Sequence, residues 1–99
     1  MAMTTQEIIH DFDSHMKQEG NGYRNWYVGI TSDPRARLFD EHQVSETNGW
    51  WIFRTATTTD SARAVEDHFL ALGCDGGPGG GDTRTRCVYA YRKTFNTAP

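Results

Sequence analysis

The apolar positions change period several times along the chain, and each change marks an element. Ile8, Ile9, Phe12 and Met16 recur at helical spacing. Thr4 and Glu7, three residues apart, form a capping-box pattern ahead of them, and Gly20 supplies a stop. An amphipathic helix is expected over residues 5–19, followed by a turn at Gly20-Asn21-Gly22-Tyr23. From Arg24 to Thr31 the period becomes two, with Trp26, Val28 and Ile30 on one face and Tyr27 and Gly29 on the other. A glycine inside such a strand lets another backbone or a ligand approach closely.

Asp33-Pro34 matches an N-cap followed by proline at the first helical position, so a helix is expected over 33–42 with Leu38 and Phe39 as its apolar face. A polar loop leads to a second strand, 50–57, in which Trp51 and Phe53 oppose Trp50 and Ile52. Thr59 or Asp60 caps a helix over 60–72 whose buried stripe is Ala62, Val65, Phe69 and Leu72, and Gly73 ends it in the left-handed conformation. A glycine-rich loop, 74–83, precedes a last strand over 86–93 with Cys87, Tyr89 and Tyr91 facing together, and residues 95–99 are expected to fray. The order is helix, strand, helix, strand, helix, strand, without repeats or a linker. Such alternation suits parallel βαβ units; with three strands, a small α+β sheet covered by helices is equally natural.

Composition narrows this. Ninety-nine residues fit one domain, and at 36% hydrophobic content the three Trp, four Tyr and five Phe must supply much of the core. No apolar run is long enough to span a membrane, and residues 1–13 are polar and acidic where a signal peptide would be basic and then apolar, so a cytoplasmic protein is expected. Cys74 and Cys87 are too few for a disulfide framework or a four-cysteine zinc site and are read as reduced thiols. A net charge of −3 excludes the broad basic surface of a strong nonspecific DNA binder, yet residues 84–93 carry four bases and no acid.

Few residues have the character of chemistry. Glu66 falls beside the buried stripe of its own helix, where a carboxylate needs a partner, a metal or a task; the plainer alternative is an edge position paired with an arginine. Tyr27 packs a sheet or works on it. Arg35 and His42, seven apart, share a helix face, whereas Arg37 and His42, five apart, do not quite align; a solvated surface is the plainer alternative for all three. His10, His15 and His68 have no metal-ligand spacing. The loop at 76–81, five glycines and a proline, lacks the lysine of a P-loop. Its N–H groups beside Arg84 and Arg86 suit either phosphate contacts or a tight crossover. Hydrolase-elbow, Cys-x-x-Cys and dinucleotide fingerprints are absent from the sequence.

The stretch WYVGIT-SDPRARLFDEH resembles the second half of the GIY-YIG nuclease signature, with Tyr27-Val28-Gly29 as the strand motif and Arg37-Leu38 and His42 behind it. WWIFRTA and ARAVEDHF resemble the strand and helix that follow in that family, and the likeness covers residues 24–72. The resemblance implies an α+β fold, a small three-stranded, mainly antiparallel sheet flanked by helices. It also implies metal-dependent phosphodiester hydrolysis with Mg²⁺ or Mn²⁺, or a non-catalytic derivative. Glu66 would then be the metal ligand, Arg37 the charge stabiliser, Tyr27 the second tyrosine and His42 a helper. The expected partner is nucleic acid, DNA first, or a nucleic-acid-processing protein, with weak, salt-sensitive contacts through Arg35, Arg84 and Arg86. The family's leading Gly-Ile-Tyr strand has no counterpart before Tyr27, His42 lies one residue farther from Arg37 than is usual, and no asparagine follows Glu66 within 73–83. If the last strand docks beside 24–31, the core is circularly permuted and Tyr89 or Tyr91 replaces the missing tyrosine.

Overall fold

The computed structural model describes residues 2–19, 22–77 and 84–99; the expected turn at 20–21 and most of the glycine-rich loop, 78–83, lie outside them. Helix α1 (Thr5–Glu19) begins at the expected capping box: Glu7 N–H donates to Thr4 Oγ1 at 3.2 Å and Thr4 N–H to Glu7 Oε1 at 2.9 Å. Ile8, Phe12 and Met16, four residues apart, are buried on one face. A 3-10 turn, Tyr23–Asn25, takes up what the alternation assigned to the start of the first strand. The Tyr23 hydroxyl donates to Asp13 of α1, which raises the phenol to about 12 and holds the carboxyl below its ordinary range.

Helix α2 (Thr59–Ala71) is capped by Thr58, one residue earlier than expected. Thr58 keeps extended backbone angles and its Oγ1 accepts from Ser61 N–H at 3.0 Å, which leaves Asp60 in the first turn, where the helix dipole favours an acid. Ala62, Val65, Glu66 and Phe69 are buried, but Leu72 is 43% exposed. The helix stops at Ala71 and Gly73 turns the chain at φ 114°, so Leu72 falls outside the stripe it was expected to complete.

Three strands, β1 (Trp26–Thr31), β2 (Trp51–Thr55) and β3 (Cys87–Arg92), form one sheet in the order β1-β3-β2. β3 runs antiparallel to both neighbours, so the parallel alternative falls. The register sets Val28, Ala90 and Ile52 in one row on one face, and Tyr27, Tyr91 and Trp51 in a row on the other, with Gly29, Tyr89 and Phe53 beside it. Both α-helices pack on the first face, where Phe12 and Phe69 meet at 5.8 Å between ring centroids. The second face packs against Leu38, Val44 and the short segment between them.

That segment departs from expectation. Asp33 caps it, Oδ1 accepting from Ala36 N–H at 3.1 Å, but Ala36–Glu41 is a π-helix in which His42 N–H donates to Arg37 O, five residues back, at 2.8 Å. Gln43, at φ 58°, then turns the chain away. The tail expected to fray is also held. Thr94 N–H donates to Thr97 Oγ1 at 3.0 Å, Thr97 N–H to Thr94 O at 3.1 Å, and Ala98 N–H to His42 O at 2.7 Å. Both cysteines are free, and burial pushes the Cys74 thiol up to about 11. Among the described residues no helix is long and apolar enough to cross a membrane.

Phe69 lies between Phe12 and Tyr23 in the closed core. Phe69→Ala is expected to lower unfolding free energy by about 3–5 kcal/mol, read as a drop in the urea midpoint with little change in slope.

Candidate functional site

Gly29 is where the open face becomes a site. Its partner across the sheet is Tyr89, and a Cβ added to Gly29 would lie 2.5 Å from the Tyr89 hydroxyl oxygen. The missing side chain therefore lets the Tyr89 ring lie across β1. The ring's hydroxyl reaches His42 Nε2 at 2.8 Å, while His42 Nδ1 lies 2.7 Å from Ala98 O and 3.1 Å from the Tyr91 hydroxyl. Tyr27 packs against Tyr91 at 5.2 Å and against His42 at 4.7 Å between ring centroids. Three tyrosines and one histidine thus form a single cluster. Burial, and then the neighbouring tyrosines, hold the Tyr89 and Tyr91 hydroxyls well above the usual phenol range.

Tyr27 is held by the first residues of the glycine loop. Asp75 N–H donates to Trp26 O at 2.8 Å and Val28 N–H to Asp75 O at 2.9 Å, a short strand-like docking on the outer edge of β1. It brings Gly77 N–H to the Tyr27 hydroxyl, and a Cβ on Gly77 would come 2.6 Å from that oxygen. Burial raises the Tyr27 hydroxyl above its usual range, helped by the Asp75 charge and opposed by the Gly77 N–H. Nothing in the periodicity marked Asp75 or Gly77; the closeness of the loop to Tyr27 is a tertiary fact.

Glu66 enters from α2. It is 7% exposed and lines one small recess with Tyr27, Gly29, Arg37, Gly77 and Tyr89. Burial raises its carboxyl above the ordinary range, with Asp67 adding to the effect and Arg63 opposing it. The arginine-paired alternative keeps Arg63 as its candidate, one turn earlier on the same helix, whose charge acts on the carboxylate. Arg37 borders this recess and also the wider cleft of about 450 Å³ that Tyr27, His42, Asp75 and Gly77 line. It pairs with Glu41 at 3.6 Å, with 39% of the side chain exposed.

The π turn revises the helix-face expectation. Its extra residue brings His42 round to the Arg37 side, so these two share the cleft. Arg35, expected to share a face with His42, points elsewhere, pairing with Glu46 at 3.0 Å and lying over the Phe39 ring. Arg86 sits near the start of α2 beside Thr58 and Asp60, and Arg84 is exposed outside the cleft. The structure thus gathers Tyr27, Arg37, His42, Glu66, Tyr89 and Tyr91, and leaves Arg35, Arg84 and Arg86 apart. Among the described residues no three His, Cys, Asp or Glu side chains cluster to hold a metal ion. No family model, curated protein or solved structure matches the chain.

Two outcomes test this geometry. Gly29→Ala forces the buried Tyr89 ring out of its seat and is expected to cost about 1–3 kcal/mol of stability, measured by denaturant titration. For Glu66 the sign follows from its raised pKa. Folding favours the protonated carboxyl, a contribution present below the ordinary value of 4.5 and lost as pH rises through the higher folded value. Glu66→Gln should therefore melt higher than wild type at neutral pH without added divalent cation, with the gap closing in acid. A lower melting point at neutral pH would show a paired, structural carboxylate instead.

Proposed function

We propose that the chain is a GIY-YIG-type nuclease domain in circularly permuted order, hydrolysing phosphodiester bonds in DNA. One observation carries the reading. The last strand occupies the centre of the sheet, beside the Tyr27-Val28-Gly29 strand, and sets Tyr89 opposite Gly29 in a recess shared with Arg37 and Glu66. That position beside β1 is where the family's leading tyrosine strand would stand. The π turn answers the long Arg37–His42 spacing, since one additional residue per turn keeps both side chains at the same cleft.

The residues suit a divalent cation. Glu66 is a desolvated carboxylate in a small recess that shares Tyr27, Arg37 and Gly77 with the wider cleft, and Mg²⁺ or Mn²⁺ binds through one carboxylate while keeping several waters. Bound there, such an ion would supply Lewis-acid polarisation of a phosphodiester oxygen. The chain's own groups do the rest. Arg37 stabilises the charge that grows on the non-bridging oxygens. Tyr27, its hydroxyl fixed by Gly77 N–H, orients water or phosphate at the cleft. Tyr89 is too weak an acid to act as a phenolate at neutral pH, so it passes a proton from water to His42.

A binding-only reading has its own support in the net charge of −3 and in arginines already engaged by acids: Arg35 with Glu46, Arg54 with Asp11 and Arg37 with Glu41. It predicts a partner that recognises the cleft without turnover.

Plasmid and oligonucleotide cleavage with Mg²⁺ or Mn²⁺ separates the two. Wild type should cut, Arg37→Ala should cut on the order of 10²–10³-fold more slowly, and Glu66→Gln should not cut at all. Mg²⁺ should raise the melting point of wild type and leave Glu66→Gln unmoved, because only a native-state ligand stabilises. An equal response in both proteins counts against Glu66 as the ligand. A folded wild type that never cuts leaves the binding-only reading.

A further inference from the structure

We propose that the segment Thr94–Pro99 is a positioning element, in which the Ala98 carbonyl fixes His42 as its Nδ1–H tautomer and so makes Tyr89 the donor to Nε2. The catalytic meaning of this rests on the nuclease reading above; the tautomer itself does not.

For a neutral ring the hydrogen-bond chemistry allows one assignment. A carbonyl oxygen only accepts, so the 2.7 Å contact between Ala98 O and His42 Nδ1 requires the proton on Nδ1. A neutral imidazole carries one ring proton, which leaves Nε2 as a lone-pair acceptor. The 2.8 Å contact at Nε2 then has the Tyr89 hydroxyl donating. The Tyr91 oxygen, 3.1 Å from Nδ1, takes a secondary share of the same N–H. With its proton directed at His42, Tyr89 keeps its oxygen lone pairs for a water in the recess lined by Glu66 and Arg37.

Ala98 is placed for this by two further contacts. Its own N–H donates to the His42 backbone oxygen at 2.7 Å, so one residue grips both the main chain and the ring of His42. The chain is turned toward His42 by Thr94 and Thr97: Thr97 Oγ1 accepts from Thr94 N–H and donates to Thr94 O, both at 3.0 Å. A base held by a third group is the general arrangement for an activated nucleophile. In the hydrolytic step one water proton passes to the Tyr89 oxygen as the Tyr89 proton passes to His42 Nε2. The hydroxide oxygen bonds to phosphorus, the bond to the leaving sugar oxygen breaks, and that oxygen takes a proton from solvent. The imidazolium keeps its Nδ1–H on Ala98 until Nε2 returns its proton to solvent.

Ring nitrogen chemical shifts of ¹⁵N-histidine-labelled protein read the tautomer directly, with no substrate present. Neutral His42 in the wild type should show Nδ1 protonated and Nε2 unprotonated. Deleting Ala98 and Pro99 should abolish that single form and give a mixture with Nε2–H. Thr97→Val, a half-buried change that swaps only the turn's hydroxyl for a methyl, should move the shifts the same way and serves if the deletion does not fold. A wild-type His42 protonated at Nε2, or a tautomer unmoved in the folded variants, overturns the proposal. Cleavage is assayed separately and should fall roughly 10–100-fold in the deletion, the scale seen when the partner that orients a histidine is lost. A correct tautomer in a protein that never cuts refutes the nuclease reading and leaves the positioning role standing.

Discussion

The Tyr89 ring lies flat across β1 because Gly29 offers no Cβ, and the open face of the sheet is arranged around that contact. From this seat the hydroxyl meets His42 and thereby ties the sheet to the π turn. The π turn in turn carries Arg37 to the cleft, and the tail closes over His42 from the far side. Each of these elements is short and weakly helical or irregular on its own. They hold position because they share one buried, hydrogen-bonded ring pair, whose loss would leave the buried His42 Nε2 and the Tyr89 hydroxyl without that bond, an expensive state.

The two faces of the sheet divide the work. One is closed by α1 and α2 over aliphatic and aromatic side chains and supplies the stability of a chain with little apolar content. The other is covered by Leu38, Val44 and a few loop residues, so polar groups can sit on it beside solvent. Glu66 belongs to a core helix yet serves the open side, flanking Val65 and Phe69 in sequence while its carboxylate reaches the recess. A carboxylate buried by its helix is destabilising unless a neighbouring charge or a bound ligand completes it.

Much of this was legible from period alone. Alternation at 26–30 set Tyr27 with Gly29, alternation at 87–91 set Cys87 with Tyr89 and Tyr91, and the helical stripe flagged Glu66; it is the register that brings the two sets to one face. Three things were not legible, each for a physical reason. Face assignment on the 33–42 segment presumed 3.6 residues per turn, and the π turn breaks that presumption, exchanging the places of Arg35 and Arg37. The cap and stripe of α2 shifted at its ends, at Thr58 and Leu72, where propensity is least decisive. The tail was expected to fray; its order rests on the turn between Thr94 and Thr97 and on the Ala98–His42 contact, a tertiary fact that local sequence does not carry.

The central strand of the sheet is also the last one in sequence. During synthesis, β1 and β2 are made long before β3, and neither is bonded to the other in the finished sheet. For as long as residues 87–92 remain unmade, both strands present unpaired backbone along the edges that β3 bonds, and Tyr27 and Trp51 lack the Tyr91 that stands between them in the register. At about 5–20 residues per second, that interval lasts seconds, ample for a stray strand from another chain to slip into the vacant lane. Insertion of β3 therefore closes the sheet and builds the cleft in a single event, and a nascent chain caught short of it has neither.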